Sequence, residues 1–151
     1  PRLSQILTSF RNTGKSTAFE RDAEVRNLCS SLGYHSHLIT SFITNMRKIE
    51  REMIQAIIDR KDWHKANTSV DITPMYAEIR LHNHLIAKYN LSNMELIISH
   101  CGWLTNTTKS RLNALINFLD PKGGVFQRNF HWFLTKFNGE TVEFGDGFYT
   151  V

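Results

Sequence analysis

The sequence lacks long apolar runs, a secretory signal and internal repeats. No apolar stretch approaches the roughly 20 residues that a transmembrane helix needs. The first residues also lack the charged and apolar blocks of a signal peptide. Cys29 and Cys101 are the only cysteines in 151 residues, which fits reduced thiols better than a disulfide framework. We therefore expect a cytoplasmic protein with no membrane segment.

Catalytic motifs are lacking as well. The chain has no Gly-x-Ser-x-Gly nucleophile elbow, no convincing pairing of cysteine with histidine and no acidic metal cluster. The segment 14–17, Gly-Lys-Ser-Thr, ends like a phosphate-binding loop, but Ser9 stands where that motif requires its first glycine. The sequence therefore favours a binding protein over an enzyme, and no cofactor is predicted.

What the chain does have is enough apolar residues for a core and a mild basic excess. Apolar residues make up 41% of the sequence, which excludes the low hydrophobicity of disordered chains. The net charge is +4. Such an excess allows a polyanionic partner but does not demand one, because strong nucleic-acid binders usually carry denser clusters of Lys and Arg.

Apolar residues at helical spacing predict three helices in the N-terminal half. The first covers residues 2–12, the second 17–32 and the third 35–63. The third helix carries an apolar stripe wide enough to contact both the rest of the fold and another helix. Residues 36–62 could therefore also form a contact between subunits of a homo-oligomer.

The hydrophobic period changes to two in the C-terminal half, which predicts strands. The predicted elements are strands over 78–85 and 94–100, a helix over 106–119, and strands over 125–137 and 140–144. The segment Asn90 to Asn93 is typical of a tight turn. Asn138-Gly139 is the strongest short hairpin signal in the chain. This half is therefore predicted to have the order ββαββ.

The predicted fold class is α+β, with three N-terminal helices followed by a small ββαββ domain built on an antiparallel sheet. The polar stretch 64–74 ends near a proline and is interpreted as a linker. It divides the chain into a helical region, residues 1–65, and a ββαββ domain, residues 75–151. The two could also form one compact unit.

Histidines leave two hypotheses open. On one strand, His82 and His84 would share a face, and His100 or Cys101 could lie opposite them, which raises the question of a zinc site. A minimal, metal-independent ribonuclease needs only an acid, a base and a phosphate clamp. Its candidate residues are Arg80, His82, His84, Arg128 and His131. Ordinary polar surface residues are the commoner explanation of both patterns.

The segment after Trp103 is the best candidate for a binding site. Its hydroxyl and amide side chains can cap a helix, and free backbone N–H groups at a helix start favour an anion. Lys109 and Arg111 lie in the first turn, where cations oppose the helix dipole, and this suggests an anionic partner such as phosphate. The predicted nucleic-acid- or anion-binding residues are Trp103, Thr107, Thr108, Lys109, Ser110, Arg111 and Arg128. Capping and solvation of these side chains is the alternative.

Aromatic residues interleave with cations in the next segment, 125–137. If this segment is one continuous strand, Phe126, Arg128, Phe130 and Trp132 share a face. Such a face could stack the bases of a single-stranded nucleic acid. Core packing of the rings is the alternative.

A signature of small uncharacterised proteins of tailed bacteriophages resembles residues 102–113, which read Gly-Trp-Leu-Thr-Asn-Thr-Thr-Lys-Ser-Arg-Leu-Asn. The flanking segments 81–87, 125–133 and 144–147 are similar to theirs too, so the resemblance covers about half of the chain. It implies a phage source. It brings no activity, cofactor or catalytic residue with it.

We therefore expect a non-enzymatic phage accessory protein that acts by binding in the host cytoplasm. Nucleic acid, held at the basic helix start, is the first expected partner. A host protein, such as an enzyme that is inhibited or redirected, is the alternative. A minimal ribonuclease is the third hypothesis.

Overall fold

Antiparallel strands dominate the part of the chain that the computed structural model describes, residues 46–151. Residues 52–151 form one compact unit. The elements are α1 (Lys48–Asp59), β1 (Trp63–Lys65), β2 (Thr68–Ile72), β3 (Tyr76–Leu81), β4 (His84–Asn90), β5 (Leu96–Ile98), α2 (Asn106–Leu119), β6 (Gly124–Arg128), β7 (His131–Thr135), β8 (Thr141–Glu143) and β9 (Tyr149–Thr150).

The strands form two antiparallel sheets. The larger sheet has six strands in the order β1-β2-β3-β4-β5-β9, and the smaller has three in the order β6-β7-β8. The last strand, β9, returns to the larger sheet and pairs with β5 at its edge. The chain therefore leaves the larger sheet after β5, forms α2 and the smaller sheet, and comes back.

One face of the larger sheet is a dry core. Val70, Ile79, Ala87 and Ile98 lie opposite one another across four adjacent strands, and all four are fully buried. Burying an aliphatic side chain of the size of Val or Ile contributes about 1.5–3 kcal/mol. This row explains why β2 to β5 pair in this register, since a slip of one residue would turn the row to solvent.

The opposite face of the sheet carries a ladder of charges. Asp71 and Glu78 are direct cross-strand neighbours, an arrangement that is unfavourable for two like charges. Arg80 offsets it by contacting both carboxylates, at 3.4 and 2.8 Å. Lys88 adds a 3.0 Å contact to Glu78. The hydrogen bond from Lys88 is the largest of the effects that lower the pKa of Glu78, so this carboxylate stays ionised at neutral pH.

Helix α1 is shorter than the helix predicted over 35–63. It begins at Lys48 and ends at Asp59. Its end is a Schellman motif, in which Arg60 is left-handed and the Lys61 N–H donates to the Ala56 carbonyl at 3.0 Å. The helix predicted over 35–63 is therefore wrong at 46–47 and at 60–63. The Schellman motif ends the helix although the apolar pattern continues beyond it. Residues 35–45 of the predicted helix lie outside the described part of the chain, so the oligomer contact expected at 36–62 stays a prediction.

The end of α1 meets the end of α2 over β4 and β5. A cavity between them is lined by Ile57, Tyr89, Leu96, Leu115, Phe118 and Leu119. Its volume is about 10 Å³, enough for one water at most. The Tyr89 hydroxyl is buried and has no hydrogen-bond partner in the described structure, and burial raises its pKa. This cavity is therefore core packing and not a ligand pocket.

Two of the predicted strands are each interrupted by a two-residue turn that contains no glycine. His82 and Asn83 are left-handed, as are Asn129 and Phe130, so each pair forms a tight hairpin turn. The predicted strand 78–85 is therefore β3, a turn and the start of β4. The predicted strand 125–137 is β6, a turn and β7.

The predicted fold class is wrong for the described residues. Five strands precede α2 and four follow it, and the described part contains two helices. The interpretation of 64–74 as a linker fails because most of it forms β1 and β2, which pair around a turn at Ala66. The helices predicted over 2–12 and 17–32 lie outside the described residues. The division into 1–65 and 75–151 likewise stays a prediction.

Helix α2 has the predicted bounds and contacts both sheets. The Asn113 amide accepts from the Val125 N–H at 2.7 Å and donates to the Val125 carbonyl at 2.8 Å, as a neighbouring strand would. The buried Arg111 side chain donates through Nε to Oγ1 of Thr68 in β2, at 3.2 Å. The helix lies so close to the next segment that a Cβ on Gly123 would stand 2.7 Å from Ile116.

The amide pair at Asn113 predicts a stability difference between two asparagines of α2. Asn113→Ala leaves the N–H and C=O of Val125 without their partner, so we expect a loss of about 2 kcal/mol in the free energy of unfolding. Asn117→Ala, on the same helix, is the matched control and should change it by less than about 0.5 kcal/mol. Urea unfolding followed by circular dichroism measures both. Equal stabilities would show that the Asn113 amide does not hold the smaller sheet.

Candidate functional site

The predicted site lies at the start of α2, where the hydroxyl groups serve the helix itself. The Thr105 side chain caps α2 by accepting from the Thr108 N–H at 3.2 Å. The two threonine hydroxyls also hydrogen-bond to each other at 3.0 Å. Thr108 is fully buried, while Thr107 and Ser110 are half-buried. Thr108 therefore stabilises the helix start from inside.

The two cations of the first turn and a half point to different places. Arg111 is buried and donates to Thr68 of β2. Lys109 remains at the surface, with its ammonium group 5.7 Å from the centre of the Trp132 ring. Of the two, Lys109 is thus the one that a partner can reach.

Trp103 lies at the surface between two histidines. Its ring centre is 6.2 Å from that of His82 and 5.7 Å from that of His84. The turn before it is fixed by a hydrogen bond from the Trp103 N–H to the His100 carbonyl, at 2.8 Å, and by the left-handed Gly102. The β3–β4 turn and the loop before α2 therefore present three rings side by side.

An aromatic cluster under this surface gathers three loops at one end of the molecule. The His100 ring is buried and packs edge-on against two other rings. Its centre lies 5.1 Å from that of Phe144 and 6.3 Å from that of Trp132. The Phe144 N–H also donates to the Trp132 carbonyl at 2.8 Å. Since β7 and β8 are antiparallel, the chain after Phe144 runs beside the turn between β6 and β7. The loops 101–105, 129–130 and 145–148 thus lie at the same end.

These loops expose four large apolar side chains, which we call the aromatic end. Its members are Trp103 (48% exposed), Leu104 (53%), Phe130 (93%) and Phe148 (58%). Single exposed apolar residues are common, whereas several gathered at one end are typical of an interaction surface. Trp103 was predicted from the sequence. Phe130 was predicted from the sequence as one ring of a possible stacking face, whereas Leu104 and Phe148 were missed.

Phe130 is unusual in its backbone as well as in its exposure. Its φ is +65°, and that of Asn129 before it is +50°. A turn of this type favours glycine at the second position, and a left-handed non-glycine residue costs about 1 kcal/mol or more. Strain of this kind is retained mainly where it serves a function.

Arg128 and Lys109 bring positive charge to the same end. Arg128 lies opposite His131, two residues from Phe130, and is exposed. Within the described structure neither Arg128 nor Lys109 contacts an acidic group, whereas His131 pairs with Glu143 at 2.9 Å. The surrounding field is weak, because residues 52–151 hold ten Lys/Arg and ten Asp/Glu. Residues 1–51 hold eight against four and carry the whole net charge of the chain.

The histidine hypotheses find little support in the geometry. Residues 46–151 contain no group of three side chains that could hold a metal ion. Cys101 is a free thiol that donates to the Leu85 carbonyl at 2.8 Å. Of the ribonuclease candidates, Arg80 belongs to the charge ladder and His131 pairs with Glu143. Two of the five candidates are therefore already paired with acidic groups.

Comparison with known proteins identifies the origin of the chain. The sequence model of the Kyanoviridae Gp96 protein family matches residues 46–151. The chain belongs to this family. It is thus a phage protein, as the resemblance implied, and the Gp96 match covers both the aromatic end and α2. No curated protein and no solved structure matches the chain. Whether the segment 102–113 is a signature of the Gp96 family stays a prediction.

Neither helix in the described Gp96 region is long and apolar enough to cross a membrane.

The separate positions of Lys109 and Arg111 predict opposite outcomes for stability. Arg111→Ala removes a buried, hydrogen-bonded side chain, and we expect it to cost at least about 2 kcal/mol of the free energy of unfolding. Lys109→Ala loses only a surface contact with Trp132, worth about 0.5 kcal/mol. Thermal unfolding by calorimetry compares the two variants with the unmodified protein. Similar unfolding midpoints for both variants would show that the Arg111 side chain does not stabilise the fold more than a surface lysine does.

Proposed function

We propose that the protein acts by binding a single-stranded nucleic acid at the aromatic end. One observation carries this proposal. The exposed rings of Trp103 and Phe130 lie on separate loops at the end where Lys109 and Arg128 have no acidic partner. Exposed rings interleaved with cations are the combination that single-stranded nucleic acids require.

The chemistry assigns a role to each group. Bases would stack on the Trp103 and Phe130 rings, and each stacked base contributes about 1–3 kcal/mol. Lys109 and Arg128 would contact phosphate oxygens and release counterions. His82 and His84, which flank Trp103, could donate hydrogen bonds to base edges. Thr108 and Arg111 would act indirectly, by holding the start of α2 in place.

A single strand fits this surface better than a duplex. The rings project from loop tips, and the bases of a duplex are already stacked on one another and are unavailable to them. The zero net charge of residues 52–151 also argues against a partner held mainly by many phosphate contacts. Two phosphate contacts with stacking would give a weak salt dependence, to which residues 1–51 could add.

A protein partner is the second candidate function. Leu104 and Phe148 are exposed, carry no polar group and lie beside Trp103 and Phe130. Trp and Arg are among the residues that dominate binding energy at protein interfaces, and Phe is enriched there while Lys, Asp and Glu are depleted. A host enzyme that is inhibited or redirected in the host cytoplasm is a partner of this kind.

Titration of labelled oligonucleotides tests the first candidate. Fluorescence anisotropy with single-stranded and duplex DNA and RNA, at several salt concentrations, should show tighter binding of single strands. The double variant Lys109→Ala/Arg128→Ala should bind more weakly. In a plot of the logarithm of the binding constant against that of salt concentration, its slope should be smaller by about 1.4, the value for two phosphate contacts.

The matched control removes two other lysines. Lys122 follows the opposite end of α2, and Lys136 pairs with Glu140 at 3.1 Å in the next hairpin. Lys122→Ala/Lys136→Ala should keep the affinity and the salt slope of the unmodified protein. If no oligonucleotide binds, or if both double variants weaken binding equally, the aromatic end is not a nucleic-acid site.

A further inference from the structure

We infer, on the basis of the proposed function, that Phe130 is a wedge that inserts between two adjacent bases of the bound strand. The wedge would contact the strand in the gap between two bases and not at a base edge. Phe130 would thus act differently from Trp103, which offers one flat face at the surface.

No contact within the described fold explains why a phenylalanine stands at position 130. Its ring contacts no other ring and is almost entirely exposed. The turn closes just as well with glycine at this position, and the left-handed φ of +65° would then carry no strain. A bulky ring at the tip is thus unfavourable both for the backbone and for contact with water. A binding role that needs the ring itself accounts for its position.

The hairpin beneath the tip is rigid enough to drive such an insertion. The strands β6 and β7 pair continuously over five residue pairs, and the last pair, Arg128 with His131, adjoins the turn. On the face of the hairpin that carries Arg128 and His131, the Phe126 and Phe133 rings stack with their centres 5.6 Å apart. Because the tip is held by paired strands, little conformational entropy is lost when the ring inserts.

The cation that adjoins the tip, Arg128, supports a nucleic acid as the occupant. Arg128 is exposed and free of acidic contacts in the described structure, and it shares a strand face with His131 and with the Phe126–Phe133 stack. Apolar side chains such as Phe insert between base steps and unstack them in known protein–DNA complexes. Here Arg128 would contact the adjoining phosphate. Unpaired bases part at little cost, which agrees with the proposed preference for single strands.

A strand that contains 2-aminopurine tests the wedge. This adenine analogue is quenched when it is stacked in the strand, so separation of its neighbours raises its fluorescence. The unmodified protein should raise the fluorescence on binding. Phe130→Gly should bind about tenfold more weakly and give a much smaller fluorescence change, while its unfolding midpoint stays equal or rises. Phe130→Trp should keep both the affinity and the signal.

Met75→Ser is the matched control. Met75 is also an exposed apolar side chain, but it lies in the turn between β2 and β3, at the far end of β3 from the β3–β4 turn. It should behave like the unmodified protein. If Phe130→Gly keeps the affinity and the signal while Lys109→Ala/Arg128→Ala weakens binding, the wedge is refuted and the nucleic-acid site stands. If the unmodified protein binds no strand, both are refuted. Loss of a captured host protein by Phe130→Gly would then assign the tip to a protein partner.

Discussion

The contact between the Asn113 amide and the backbone of Val125 is the interaction on which the arrangement of the two sheets depends. It lets the side chain of a helix complete the outer edge of β6. Arg111, two residues earlier, fixes the same helix to β2 of the larger sheet. Backbone groups at a strand edge need partners when they are buried, and the amide satisfies both groups of Val125 at once. Helix α2 is thereby positioned against both sheets.

This arrangement explains why the aromatic end exists. With α2 fixed, its first turns bring Lys109 to Trp132, and Trp132 in turn contacts His100 below the loop that carries Trp103. The return of the chain after Phe144 completes the same end. The residues that resemble a phage signature therefore divide by role. Thr105, Thr108, Arg111 and Asn113 position the helix, whereas Trp103 and Lys109 remain available to a partner.

Local sequence signals predicted α2 and the turn at Asn138-Gly139 because a cap, an apolar stripe and an Asn-Gly pair are explicit there. The turns at His82–Asn83 and Asn129–Phe130 escaped prediction, since only their asparagines favour left-handed backbone and no glycine marks them. For the same reason, the position of Phe130 at the tip of a turn could not be predicted. The burial of Arg111 could not be foreseen either, because it depends on β2, which lies in a segment interpreted as a linker.

Amide hydrogen exchange followed by NMR tests the central contact most directly. The N–H groups of Val125 and Gln127 both lie on the outer edge of β6, because alternate residues of a strand point their N–H groups the same way. Asn113 holds the first, and no neighbouring strand holds the second within the described structure. We predict that the Val125 N–H exchanges as slowly as the amides between β6 and β7, and that the Gln127 N–H exchanges much faster. Equally fast exchange at the two positions would contradict the account.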